Sequence, residues 1–133
     1  MMRRRYLIVD DAPTIRACVR SLMVRLGVPE NDIAMADCGR YALYVVQAFR
    51  PDVILLDIEL PGMDGGEVAR RVWAERPDAR IAVMTGIDRR SPRVQNLISH
   101  GAFDVLPKPV RLDALDAFLS NLDREAISIG RVR

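Results

Sequence analysis

Asp52-Val53-Ile54-Leu55-Leu56-Asp57 decides the fold: four large aliphatic residues run without a polar break and end in a carboxylate. An unbroken apolar run this short suits a central strand of a parallel sheet, covered on both faces. The next residues, Ile58-Glu59-Leu60-Pro61-Gly62, stop the strand and open a loop. Asp57 then stands at the carboxyl end of the strand, where open α/β sheets place their ligands. The expectation is a chemically active carboxylate.

Working outward, Tyr6-Leu7-Ile8-Val9 is a second short buried strand that also ends in carboxylates, Asp10 and Asp11. Pro13 suits the first turn of a helix, with Asp11 or Ala12 near its cap. From there Ile15, Val19, Leu22, Met23 and Leu26 recur at helical spacing up to Gly27. Ile33 to Ala36 reads as a weak strand, and a helix runs from Gly39 until just before Pro51. Beyond the central run come a helix over Gly66 to Ala74, a strand over Ile81 to Met84 ending in Thr85, and a helix opened by Ser91-Pro92. Phe103 to Leu106 is a fifth strand that leads into Pro107-Lys108-Pro109. Leu112, Leu115, Phe118, Leu119 and Leu122 form the buried stripe of a last helix. Five strands alternating with five helices predict an α/β fold with a doubly wound, five-stranded parallel sheet.

At 133 residues and 15.0 kDa the chain has the size of one domain. Twenty basic against eighteen acidic residues leave +2, too little to argue for nucleic acid or a membrane surface. Cys18 and Cys38 form neither a disulfide framework nor a metal-ligand spacing, and two reduced thiols fit a cytoplasmic protein. Met1-Met2-Arg3-Arg4-Arg5 resembles the start of a signal peptide, but only Tyr6 to Val9 follow before Asp10, too short for its apolar region. No segment approaches the ~20 apolar residues needed to span a bilayer.

The informative pattern is what closes each strand: Asp10 and Asp11, Asp57, Thr85 and Lys108. In a parallel sheet these ends share one edge, so residues far apart in sequence converge. Clustered carboxylates repel and stay ionised only with a cation nearby. Oxygen donors without His or Cys suit Mg2+, which takes one or two carboxylates and keeps waters for a phosphate. A hydroxyl and an ammonium opposite are suited to phosphoryl oxygens. The constellation reads as a phosphoryl-transfer site with a carboxylate nucleophile. A lone acidic residue at a strand end is ordinarily a solvated turn residue; the set gains its meaning from convergence.

These residues carry a resemblance. Asp10-Asp11, Asp57 with Pro61-Gly62-Met63-Asp64-Gly65, Thr85-Gly86 and Lys108-Pro109 together resemble the response regulator receiver domain of two-component signal transduction (CheY-like), over roughly Arg4 to Asp123. The resemblance implies a single-domain (βα)5 flavodoxin-like fold, with residues 1–124 as the receiver domain and 125–133 as a short C-terminal tail. It also implies that Asp57 takes a phosphoryl group from a sensor histidine kinase or phosphotransfer protein. Mg2+ would be held by Asp11, Asp57 and the main-chain carbonyl of Glu59, with Asp10 acting directly or through water. Lys108 would pair with the phosphoryl group and, before that, with Asp57. Thr85 would bond a phosphoryl oxygen and draw the loop from Gly86 to Arg90 inward, beside the small Gly86. Pro109 stands where the family has a proline commonly in cis. Glu59 and Ile87 stand where the family tunes attack by water on the acyl phosphate, and apolar Ile87 is expected to slow it.

One position departs from the pattern. Many receivers carry Phe or Tyr three residues before the lysine; here it is Val105, with Phe103 expected on the same strand face by the period of two. Arg89, Arg90, Arg93 and Arg111 gather near the fourth helix and fifth strand. Their ordinary reading is a solvated face; the sharper one makes this face, with Val105 and Pro107, a docking or homodimer surface. The implied partners are thus a kinase or phosphotransfer protein and a downstream target or attached effector, with no direct nucleic-acid or membrane contact. No enzyme activity is expected beyond self-phosphorylation and slow autodephosphorylation. The rival from another class is a small-molecule phosphatase of the haloacid dehalogenase type, which needs a second Asp two residues after the nucleophile. This chain has Glu59 there. Neither a Gly-x-Gly-x-x-Gly nor a P-loop follows the first strand.

Overall fold

The computed structural model describes residues 3–132, with side chains through residue 125. Among these residues the strands are β1 Tyr6–Val9, β2 Ile33–Ala36, β3 Val53–Asp57, β4 Arg80–Thr85 and β5 Asp104–Pro107. The helices are α1 Pro13–Arg25, α2 Gly39–Phe49, α3 Gly65–Glu75, α4 Pro92–Ser99 and α5 Leu112–Val132. All pairings are parallel, in the order β2-β1-β3-β4-β5. The aliphatic run is therefore the central strand, and all five of its residues are buried. Its neighbours are β1 and β4, so the strand order reverses at β1, and the crevice that reversal opens lies at the carboxyl edge.

The alternation of strand side chains builds two cores. Leu7, Val9, Ile54, Leu56, Ile81, Val83 and Val105 face α2, α3 and α4. Tyr6, Ile8, Val53, Leu55, Ala82, Met84 and Leu106 face α1 and α5, meeting Val19, Met23, Leu115 and Phe118. Each fully buried aliphatic side chain contributes about 1.5–3 kcal/mol of transfer free energy. Helices on both faces explain why the strands read as continuous apolar runs rather than alternating ones.

Local signals set the helix limits. Pro13 occupies the first turn of α1, and Gly27, with φ of 100°, takes the left-handed conformation beyond its end. Ser91 caps α4 by accepting from the Val94 N–H at 3.4 Å. α3 begins at Gly65, one residue earlier than the pattern predicts, because Asp64 is its cap and accepts from the Gly66 N–H at 3.1 Å. A Cβ on Gly65 would lie 2.4 Å from Ile58 Cα and 3.0 Å from the Asp57 carbonyl oxygen, so only glycine lets α3 start against the end of β3. Trp73 of α3 donates its indole N–H to the Ala79 carbonyl at 3.2 Å, and its ring edge borders Gly101 just after α4. α5 runs from Leu112 to Val132 with no proline in it. No helix among the described residues is long and apolar enough to cross a membrane.

Phe103 corrects one expectation. It lies just before β5 and packs edge-on against Phe118 at 6.0 Å, on the α1/α5 side of the sheet. Val105 belongs to the opposite core. The period of two holds along the ladder and fails at Phe103, which precedes the strand. Phe103 therefore does not stand in for an aromatic residue at position 105.

An acidic edge as the candidate functional site

Asp10 follows β1 and is fully buried (0% exposed), while Asp57 ends β3 at 2%. Charged groups persist at such burial only when something answers them. Asp10 Oδ1 accepts from the Ala12 N–H at 2.9 Å. Asp57 Oδ1 accepts from the Glu59 N–H at 2.8 Å. The other oxygen of each faces one ammonium: Lys108 Nζ lies 2.7 Å from Asp10 Oδ2 and 3.0 Å from Asp57 Oδ2. Among the described residues Lys108 is the sole partner of the buried Asp10 Oδ2. Burial pushes the Lys108 ammonium toward losing its proton. The bonds and charges of Asp10 and Asp57 outweigh that and hold its pKa above the ordinary 10.5.

Asp11 is exposed beside this pair, and Asp10, Asp11 and Asp57 each offer an oxygen within 4.8 Å of the others. Three carboxylates against one ammonium leave the edge negative. The donors are all oxygen, and among the described residues the buried Asp10 Oδ2 is met by the Lys108 ammonium alone. This set fits a hard divalent cation such as Mg2+.

The remaining predicted residues converge on the same edge. Thr85 ends β4 at 1% exposure, and its Oγ1 accepts from the Ile87 N–H at 2.9 Å. The Lys108 N–H donates to the Thr85 carbonyl at 2.9 Å, which ties the two strand ends together. The Lys108–Pro109 peptide is cis. A side chain added at Gly86 would meet nothing within 4 Å, so the space beside Thr85 is open. Glu59 is exposed and meets Asp57 through its backbone N–H.

Two arginines near the edge make contacts that no sequence pattern announces. Arg16 Nη1 donates to the Asp10 carbonyl at 2.6 Å. Arg93 Nη2 donates to the Ile58 carbonyl at 2.7 Å and to Asp64 Oδ1 at 2.8 Å. Arg93 is thereby turned toward the loop between β3 and α3. Of the arginines gathered near α4 and β5, Arg90 pairs with Asp88, Arg93 with Asp64 and Arg111 with Asp113.

Comparison with known proteins agrees with this geometry. Response regulator MprA of Mycolicibacterium vanbaalenii is 38% identical over 120 residues, covering 90% of this chain and 50% of that protein. Response regulator PleD of Caulobacter vibrioides is 37% identical over 135 residues, 99% of this chain and 29% of its own length. The chain thus spans half or less of these curated relatives. The solved structure of the Vibrio cholerae chemotaxis protein CheY4 is 30% identical, with a TM-score of 0.78 over 92% of this chain and 98% of its own. A signal receiver domain of a Luxo repressor protein from Vibrio parahaemolyticus gives a TM-score of 0.83 at 26% identity, over 99% and 98%. The response regulator receiver domain family matches residues 6–120. That match starts on the first residue of β1 and ends inside α5, so it takes in the whole sheet and its acidic edge: the chain belongs to the response regulator receiver domain family.

Proposed function

We propose that the chain is a phosphorylation-controlled switch whose acceptor is Asp57, charged from a phosphohistidine on a sensor histidine kinase or phosphotransfer protein. The observation that carries this is the setting of Asp57, a buried carboxylate at the open edge with Oδ1 held by the Glu59 N–H and Oδ2 by Lys108. A carboxylate oxygen of Asp57 attacks phosphorus, the phosphorus–nitrogen bond breaks, and its electron pair leaves on the imidazole nitrogen. An acyl phosphate on Asp57 results. Such transfer needs mainly positioning and charge stabilisation. Lys108 supplies a fixed ammonium to the phosphoryl oxygens, and Thr85 a hydroxyl. Asp10, Asp11, Asp57 and the main-chain carbonyl of Glu59 would hold Mg2+, which when bound offsets the charge gathered there.

The output follows from Thr85. Thr85 Oγ1 accepts from the Ile87 N–H and keeps its own proton free to donate; a hydroxyl that swings toward a phosphoryl oxygen draws residues 86–90 inward with it and alters the surface of α4, β5 and α5. That surface would act on a downstream protein, an attached effector or a second copy. The length of the curated relatives supports an attached effector, residues 1–124 being the receiver unit. The setting of such a switch is the cytoplasm.

Intact-mass spectrometry after incubation with acetyl phosphate and Mg2+ tests the reading. One phosphoryl group is expected on the wild type and none on Asp57→Asn. Equal uptake in that variant sinks the assignment. Catalytic turnover of phosphate esters would instead favour a phosphatase of the haloacid dehalogenase type.

A further inference from the structure

The peptide unit joining Ile58 to Glu59 is hydrogen-bonded at both ends. Its N–H, on Glu59, donates to Asp57 Oδ1 at 2.8 Å. Its carbonyl, on Ile58, accepts from Arg93 Nη2 at 2.7 Å, with the Gly65 N–H as a longer donor at 3.4 Å. An amide is planar and conjugated, so the two ends move as one body. A charged donor on the carbonyl also draws electron density toward oxygen, which makes the N–H at the other end a stronger donor. Arg93 is the second residue of α4, 35 positions from Ile58.

We infer that Arg93 is a positioning residue for phosphoryl acceptance: through the Ile58–Glu59 peptide it sets the orientation of the Asp57 carboxylate and links that carboxylate to α4. The inference rests on the reading of Asp57 as the acceptor. A carboxylate turns easily about its last torsion, which has broad minima. Here the Glu59 N–H and Lys108 fix its two oxygens. With Arg93 removed, the Glu59 N–H weakens as a donor and its peptide is free to tilt, so Asp57 spends less time facing the open edge. The link runs both ways, because coupling between two sites is reciprocal. A phosphoryl group that takes Asp57 Oδ1 away from Glu59 loosens the Arg93 contact, and α4 registers the change. This route leaves β3 directly for α4 and does not pass through β5, where Val105 replaces the usual aromatic residue.

The guanidinium suits the task because one nitrogen, Nη2, carries two hydrogens that reach the Ile58 carbonyl and Asp64 together. A lysine keeps the charge, but as a point charge on a flexible stem without the fixed planar donors that hold the carbonyl. Asp64 separates two explanations. As the cap of α3 it accepts from the Gly66 N–H through Oδ2, a bond that asparagine keeps. Asp64→Asn therefore removes the ion pair with Arg93 and leaves the Ile58 contact.

The test reads the Glu59 amide by two-dimensional NMR without phosphodonor, then the rate of phosphorylation by acetyl phosphate, in wild type, Arg93→Ala, Arg93→Lys and Asp64→Asn. In Arg93→Ala the Glu59 amide proton is expected to move upfield, and phosphorylation to slow about fivefold. Arg93→Lys should recover part of both effects, and Asp64→Asn should leave the Glu59 resonance in place. An unmoved Glu59 amide with an unchanged rate in Arg93→Ala overturns the inference. So does an Asp64→Asn variant that matches Arg93→Ala in both readouts, since the effect would then come from anchoring the loop. Uptake of phosphoryl by Asp57→Asn would remove the acceptor reading instead; the Glu59 resonance of the unphosphorylated Arg93→Ala protein still judges the structural link by itself.

Discussion

A single ammonium holds two buried carboxylates at this edge, and that sets what one substitution does. Lys108→Ala leaves Asp10 and Asp57 facing each other without a cation. Removing one partner of a buried ion pair costs about 3 kcal/mol or more. Urea denaturation in chelator should show a loss of that size, with partial recovery when Mg2+ is added. The pH dependence has a definite sign. Because the folded-state pKa of Lys108 lies above its ordinary 10.5, its contribution is complete below that value and is lost as pH rises through the folded pKa. The Lys108→Ala loss should therefore be constant from pH 6 to about 9 and shrink at more alkaline pH. At this scale the sequence was legible where chemistry coincides with a strand end, as for Asp10, Asp11, Asp57, Thr85 and Lys108. Arg93 was legible only as one of several arginines near α4; its contact with Ile58 was not, because that partner lies 35 residues away and obeys no periodicity. The side of the sheet taken by Phe103 was misread because alternation was extended past the strand.

The start of α3 shows how tightly an element can be bound to the site. Gly65 brings the first turn of the helix against the backbone of Asp57 and Ile58. A methyl group there meets backbone atoms, which cannot rotate away as a side chain would. Gly65→Ala is expected to destabilise by on the order of 3 kcal/mol and to slow phosphorylation, because relief comes only from shifting the loop that carries the Glu59 N–H. Gly66→Ala is the useful contrast: its nearest neighbour is the Asp64 carboxylate at 2.9 Å, a side chain able to move. A thermal melt showing Gly65→Ala no worse than Gly66→Ala would refute the close-approach account. Elements were legible wherever a cap or breaker is local, as with Pro13, Gly27 and Ser91-Pro92. Limits slipped by one residue at α3 and β5: Asp64, a local cap, starts α3 at Gly65, and β5 is placed by its distant pairing with β4 from Ala82 to Thr85.

Across the molecule the two ends of the sheet are electrically unlike. The carboxyl edge gathers carboxylates around one lysine. At the opposite end arginines and acids pair off, Arg3 with Asp32, Arg4 with Asp123, Arg76 with Asp52 and Arg80 with Glu125. Partly exposed pairs contribute little each. The carboxyl edge is thus where a cation should act on the whole fold. Mg2+ at ten times its dissociation constant should stabilise the protein by about 1.4 kcal/mol, seen as a rise in melting temperature. Asp11→Ala should reduce the rise, while salt at matched ionic strength should not reproduce it in the wild type. The parallel sheet, its covered faces and its edge were foreseeable because continuous apolar runs alternate with helical spacing. One consequence lies in optics. Trp73 is the sole tryptophan of the chain, and its ring lies on α3 with its edge beside Gly101, just after α4. Any shift of α4 relative to α3 changes the surroundings of a single native fluorophore, so the unlabelled protein carries its own emission signal for following the switch in real time.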